Sequence, residues 1–116
     1  MNVYSIKLMI TEEEIEKCLD FKRDTATPIA QAMHDRVQLE NFRKSKLALL
    51  FFEAPEKFKI GEKEQWAYAH KDYQEVVKGL AAAVQEHERL RQLISAADAK
   101  IEVWRTIQAN HRAGVI

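Results

Sequence analysis

The residue types best suited to chemistry in this sequence are one cysteine and four histidines: Cys18, His34, His70, His87 and His111. They do not recur at the short spacings with which proteins hold zinc. No serine, cysteine or lysine lies in a nucleophile motif, and no glycine-rich loop is present that could bind a phosphate. We therefore expect a protein that is not an enzyme and that has no metal or cofactor.

Two of the histidines belong to a repeating pattern in the C-terminal third. Steps of alternately three and four residues pass through Tyr73, Val76, Leu80, Ala83, His87, Leu90, Ile94, Ala97, Ile101, Trp104, Gln108 and His111. A 3.5-residue repeat of mainly apolar positions is typical of a coiled-coil seam, in which His87 and His111 would fix the register. A second stripe widens the apolar face and favours a bundle; it consists of Leu93, Ala96, Val103 and Ile107.

Helix-start signals lie ahead of this segment. Thr11 precedes Glu14 by three residues, the spacing of a capping box, and this predicts a helix over about 12–24. Thr27 and Pro28 then either open a second helix or mark a kink within one longer helix.

The composition sets the fold class. A chain of 116 residues has room for one domain, and 47% apolar with 31% charged residues is ordinary for a folded protein. Three glycines and two prolines leave few turns, so we expect an all-α helical hairpin or bundle with a long heptad-patterned C-terminal helix. The expected single domain, 1–116, has an N-terminal arm and short helix at 1–27, a helix at 28–53, a loop at 54–61, and a short helix then the long helix at 62–113.

The length of the final helix predicts assembly. About 41 helical residues span roughly 60 Å, whereas a compact monomer of this size is only about 35 Å across. We expect the rest of the chain to be too short to cover this helix, and therefore a homo-oligomer. The expected interface residues are Val76, Leu80, Leu90, Ile94, Ile101 and Trp104.

Cysteine usage and apolar runs predict a cytoplasmic protein, in the host cytoplasm if it is phage-encoded. A lone Cys18 allows no intrachain disulfide, and the N-terminus lacks the pattern of a signal peptide. The longest apolar run, Leu47 to Phe52, is far shorter than a membrane span, so we expect no membrane association.

Basic residues are concentrated in two places. Residues 21–50 carry six basic and three acidic side chains, and on the final helix Trp104 adjoins one of three arginines that share a heptad position. Proteins that bind single-stranded nucleic acid combine a basic track with aromatic platforms, although solvated helix faces that pair between subunits have the same composition. The candidate DNA-binding residues are Arg36, Arg43, Lys44, Lys46, Arg91, Arg105 and Arg112.

Three stretches carry a family resemblance: AQAMHDRVQLENFRKSKLALL, then QWAYAHKDYQEVV, then LISAADAKIEVWRTIQANHR. Together, over roughly residues 28–113, they resemble the UvsY-like phage recombination mediators. The resemblance implies a helical ring that binds single-stranded DNA and loads a RecA-type recombinase onto DNA coated with single-strand-binding protein. The family's DNA contacts on the first long helix carry over to Arg36, Arg43, Lys44 and Lys46. This chain departs from the family in its zero net charge and its additional acidic helix.

Two functions follow as expectations. The first is single-stranded DNA binding and recombination mediation by an oligomer, with a RecA-type recombinase and single-strand-binding protein as partners. The alternative is a phage or mobile-element helical module that binds protein and not nucleic acid, such as an inhibitor of a host defence enzyme or an assembly adaptor. Salt-sensitive binding to oligonucleotides discriminates between the two.

Overall fold

The computed structural model describes residues 10–114, and this range contains three α-helices and no strand. Helix α1 spans Glu12–Glu53, α2 spans Ile60–Ala69 and α3 spans Lys71–Arg112. The predicted all-α fold class is confirmed. The arm predicted at the N-terminus lies outside the described residues, apart from Ile10.

Helix α1 begins where its capping residue predicts. The backbone N–H of Glu14 donates a hydrogen bond to Thr11 Oγ1 at 3.1 Å. Three acidic residues follow in the first turn, where their charge is favourable beside the exposed N–H groups of the helix end.

Helix α1 then continues through Pro28 as far as Glu53. The predicted division into separate helices before and after Pro28 is therefore wrong, and the alternative of one longer helix describes the chain. An interior proline costs about 3 kcal/mol, because it removes one hydrogen bond and crowds the preceding turn. The flanking residues Thr25 and Ala32 are buried and Ile29 is half-buried, so packing on both sides of Pro28 offsets that cost.

The connection from α1 to α3 is tight. The N–H of Phe58 donates to the carbonyl oxygen of Pro55 at 3.0 Å, and α2 begins two residues earlier than predicted. His70 alone separates the two helices, because α2 ends at Ala69 and α3 begins at Lys71. At this junction, the N–H of Asp72 donates to His70 Nδ1 at 3.0 Å.

Helix α3 ends at a glycine. Gly114 has a φ of +73°, a left-handed conformation that costs a residue without Cβ very little. Its N–H donates to the carbonyl oxygen of His111 at 3.1 Å. Gly114 therefore caps the C-terminal end of α3.

The described residues pack in two compact units. One unit is residues 30–88, and the other is residues 10–29 together with 89–114. Each unit places a segment of α1 beside a segment of α3, and the first unit also contains α2. The number of domains stays a prediction.

The core of unit 30–88 lies where its three helices meet. Leu50 of α1 and Ala67 of α2 are fully buried, and Tyr73 of α3 is nearly so. The Tyr73 ring meets that of Tyr68 edge to face, with centroids 5.5 Å apart. The side chains packed around this core are Leu47, Trp66 and Val77.

The predicted heptad seam of α3 is the buried side of that helix. Of its twelve positions, only His111 is exposed in the single chain, and the others are buried or half-buried. The second stripe is only partly covered, because Ile107 is buried whereas Leu93, Ala96 and Val103 are exposed. The expectation that the rest of the chain is too short to cover α3 is wrong, since α1 has the same number of residues, 42.

Candidate binding surfaces

The buried side of α1 follows a heptad pattern that its sequence conceals. Eleven positions at alternating steps of three and four are all buried or half-buried, and five of them carry polar or charged side chains other than cysteine. The eleven are Ile15, Cys18, Lys22, Thr25, Ile29, Ala32, Arg36, Leu39, Arg43, Lys46 and Leu50. Apolar periodicity alone could not find this seam, because long basic side chains occupy four of its positions.

Arg36 is bound into the interior of unit 30–88. Its guanidinium lies 3.1 Å from a carboxylate oxygen of Glu88 and 3.4 Å from one of Glu40. The same group approaches His87 Nδ1 at 3.4 Å. Only 30% of the Arg36 side chain is exposed. The expectation that Arg36 is exposed on a DNA-binding face is therefore wrong.

Arg43 and Lys46 are also turned toward α3. Arg43 donates from a terminal nitrogen to the Tyr73 hydroxyl at 3.5 Å, and its buried Nε–H has no acceptor among residues 10–114. Lys46 Nζ lies 3.7 Å from a carboxylate oxygen of Asp72. The expected exposure of Arg43 is also wrong, and Lys44 alone of the four predicted α1 contacts is exposed.

The other unit repeats this pairing of a basic residue on α1 with an acidic residue on α3. Lys22 Nζ lies 2.5 Å from a carboxylate oxygen of Asp98. Asp98 lies seven residues after Arg91 and seven before Arg105, at the same heptad position, and it has a partner within the chain. In each unit, ion pairs between basic residues of the α1 seam and acidic residues of α3 favour one register of the two helices.

The three arginines predicted on α3 are exposed: Arg91, Arg105 and Arg112. Arg105 lies 3.7 Å from Glu102, one turn away, in a pair that solvent screens. Trp104, predicted at the oligomer interface, is half-buried in the single chain. It lines an open groove of about 480 Å³ together with Glu102, Arg105, Thr106, Gln108, Ala109 and Arg112.

The unit formed by residues 10–29 and 89–114 also carries an acidic surface. Its α1 segment, residues 12–29, has six acidic and three basic side chains, whereas residues 89–114 have two acidic and five basic ones. The exposed Arg23 lies between Asp24 and Asp20, and its pKa is raised mainly by the hydrogen bond it donates to Asp24. The net charge of the unit is therefore close to zero. A polyanion bound at the groove would be repelled by the acidic side chains of the same unit.

Exposed apolar side chains are concentrated in unit 30–88. Ten large apolar residues of the described chain are exposed, and seven of them belong to this unit. Phe52 is the most exposed, at 83%, followed by Ile60 at 70%. The other five are Met33, Val37, Phe42, Leu49 and Tyr68. Scattered apolar residues are normal on a surface, but a cluster around a concave feature indicates a contact site.

The concave feature is a groove of about 410 Å³ between the end of α1 and α2, which we term the α1–α2 groove. Leu47, Phe51 and the fully buried Ala67 lie deepest in it. Its exposed edges are Lys44, Ala48 and Phe52 on α1, and Glu64 and Tyr68 on α2. The edge residues of each helix recur every fourth position, so each set lies along one face.

Sequence reasoning missed this groove. Its signal was the apolar run from Leu47 to Phe52, because six consecutive helical residues cannot all face one core. Leu50 occupies the core, and Leu49 and Phe52 are consequently directed outward. A separate, shallower apolar patch on α1 is formed by Ala30, Met33, His34, Val37 and Gln38.

Within residues 10–114, no three or more histidine, cysteine, aspartate or glutamate side chains are grouped so as to hold a metal ion. None of the three described helices has a stretch long and apolar enough to cross a membrane. Comparison with known proteins finds no matching family model, no matching curated protein and no matching solved structure.

Proposed function

We propose that this chain is a helical protein-binding module that acts by association and not by catalysis. The observation that supports this best is Phe52, which exposes 83% of its surface at the edge of an apolar groove. An exposed aromatic residue loses its contact with water when a partner covers it, and such residues dominate the energetics of protein interfaces. We also propose a cytoplasmic location, consistent with the free thiol of Cys18.

The choice of protein over nucleic acid depends on α1. Arg36, Arg43 and Lys46 are turned into the seam, so three of the four basic residues inferred as DNA contacts on α1 are not exposed. What α1 presents near its end is apolar, with one lysine at the groove edge. This surface suits a protein partner, because interface cores are depleted in charge and enriched in aromatic residues.

A photocrosslinking experiment tests the proposal. A benzoylphenylalanine residue is introduced at Phe52, and a matched protein carries it at Val103, which is exposed in the other unit. We expect discrete protein adducts from position 52 and not from position 103, both in purified protein and in lysate of the source cells. Mass spectrometry identifies each adduct, and the purified partner is then titrated against the wild type and Phe52→Asp. The proposal is overturned if position 52 gives no adduct in purified protein and none in lysate.

A second function, single-stranded DNA binding, is favoured by one observation. The groove on α3 places Trp104 beside Arg105 and Arg112, and this combines an aromatic platform with cationic groups. Under this proposal the chain would be a recombination mediator with a RecA-type recombinase and single-strand-binding protein as partners, as the UvsY-like resemblance implies. DNA contacts would then lie on α3 and not on α1.

Oligonucleotide binding tests this second function. Fluorescence anisotropy of a labelled oligothymidylate is measured at about 50 mM salt, where each phosphate contact contributes about −0.7 to the slope of log affinity against log salt. The mediator function requires binding that is lost in Arg105→Glu with Arg112→Glu and kept in the control Arg23→Glu. If the wild type does not bind under these conditions, the mediator function is rejected and the protein-binding module stands alone.

A further inference from the structure

We infer that the α1–α2 groove pairs two copies of this chain across a twofold axis. This inference rests on the proposed function, since it names the partner that would occupy the protein-binding surface. In a twofold interface the same patch meets itself, so the patch must carry both members of every complementary pair. The groove and its edges meet that requirement in shape and in charge.

Shape complementarity comes from a knob and a hole on the same patch. Phe52 projects from the edge of the groove, and the groove floor is formed by Leu47, Phe51 and Ala67. Phe51 is half-buried in the floor and Phe52 is exposed, and their rings meet edge to face with centroids 5.8 Å apart. Across a twofold axis, Phe52 of each copy enters the groove of the other.

Charge complementarity comes from the two edges. Lys44 is exposed on the α1 edge and Glu64 is exposed on the α2 edge. Neither side chain forms an ion pair or a hydrogen bond with any of residues 10–114. A twofold axis through the groove brings Lys44 of each copy toward Glu64 of the other, which makes two equivalent pairs. A groove with one base and one acid suits a second copy better than a strongly acidic or basic partner.

The exposed apolar side chains along the edges enlarge the contact. Ile60 precedes Glu64 by one helical turn, and Tyr68 follows it by one turn. Leu49 precedes Phe52 by three positions on α1, so it lies on the same side of the helix. Stable dimers bury about 800 Å² on each partner, and a few aromatic and aliphatic side chains supply only part of that area. We therefore expect a reversible dimer that dissociates on dilution.

Sedimentation equilibrium of charge-reversed chains tests the inference. In a dimer of Lys44→Glu chains, both cross-pairs become acid against acid, and in a dimer of Glu64→Lys chains both become base against base. An equimolar mixture of the two variants restores both pairs in the mixed dimer. We expect each variant alone to dimerise at least about tenfold more weakly than the wild type, and the mixture to recover wild-type association.

Two controls locate the contact. Phe52→Asp should abolish dimerisation, whereas Met33→Asp places the same residue at another exposed apolar position of α1 and should leave it unchanged. Circular dichroism confirms that every variant keeps its helix content. The inference is overturned by a monomeric wild type, by charge variants that associate like the wild type, by a mixture that does not recover, or by equal loss in Met33→Asp.

These failures are distinguishable from failure of the proposed function. A monomeric wild type whose position 52 crosslinks to a different protein rejects self-pairing and leaves the protein-binding function in place. A monomeric wild type with no adduct at position 52 rejects both.

Discussion

The guanidinium group of Arg36 on α1 lies 3.1 Å from the carboxylate of Glu88 on α3, a residue 52 positions further along the chain. A half-buried charge-assisted hydrogen bond between two helices contributes more than an exposed pair on one helix. Arg36 therefore stabilises the packing of α1 against α3, although its residue type and spacing favoured a nucleic-acid contact.

Reversal of this charge should destabilise the protein. We expect Arg36→Glu to lower the free energy of unfolding by about 1–2 kcal/mol, because the carboxylates of Glu88 and Glu40 would then face a third one. Urea denaturation measures the change. Arg36→Glu combined with Glu88→Arg should recover part of the loss, whereas the exposed control Arg105→Glu should change stability by less than about 0.5 kcal/mol. An equal loss of unfolding free energy in Arg36→Glu and Arg105→Glu would contradict the stabilising role of Arg36.

Two adjacent leucines provide a matched test of the core. Leu50 is fully buried and Leu49 is 57% exposed. Leu50→Ala should cost about 2–5 kcal/mol, because it removes apolar contacts and leaves a cavity. Leu49→Ala should change stability by less than about 0.5 kcal/mol. Thermal and urea unfolding at concentrations that keep the chain monomeric give both values, and a reversed order of the two costs would place the wrong leucine in the core.

Pro28 lies within continuous helix and is exposed. Pro28→Ala should raise the free energy of unfolding by about 1–3 kcal/mol, because the new N–H can donate to the carbonyl of Asp24 and the crowding of the proline ring is removed. Pro55→Ala, the same substitution in the connection before α2, is the control and should not stabilise. A lower melting temperature in Pro28→Ala would contradict the uninterrupted helix.

Gly79 is the one glycine inside α3. A Cβ built at this position meets no atom within 4 Å, apart from its own helical surroundings. Gly79→Ala should therefore stabilise the protein by about 0.5–1 kcal/mol, since alanine loses less backbone entropy on folding. Differential scanning calorimetry measures the effect, and destabilisation would show that the space beside Gly79 is filled in solution.

The sequence was sufficient to predict the all-α fold class and the buried side of α3, because apolar residues dominate that side and the 3.5-residue repeat is long. It was insufficient for α1, whose buried side includes Lys22, Arg36, Arg43 and Lys46. Basic side chains can bury their methylene stems and pair with acids on another helix, but a single sequence does not reveal those partners. Three of the seven predicted DNA contacts, Arg36, Arg43 and Lys46, belong to this set, and they lie on the buried side of α1.

The sequence also could not predict that α1 continues through Pro28. Propensity alone favours a helix boundary there, and packing of Thr25 and Ala32 on either side decides otherwise. The oligomer prediction was made from the length of the final helix, roughly 60 Å, against a compact monomer about 35 Å across. Because α1 and α3 both have 42 residues, the seam of α3 does not require another subunit to cover it. The exposed apolar edges of the α1–α2 groove are now the reason to expect assembly.

Backbone amide NMR of the wild type under serial dilution tests the central claim most directly, because it reports which residues change environment when the chain associates. We expect concentration-dependent shifts confined to residues 44–52 and 60–68, with no change along 91–112. Shifts confined to residues 91–112, or no shift at any residue up to about millimolar concentration, would contradict association of this chain through the α1–α2 groove.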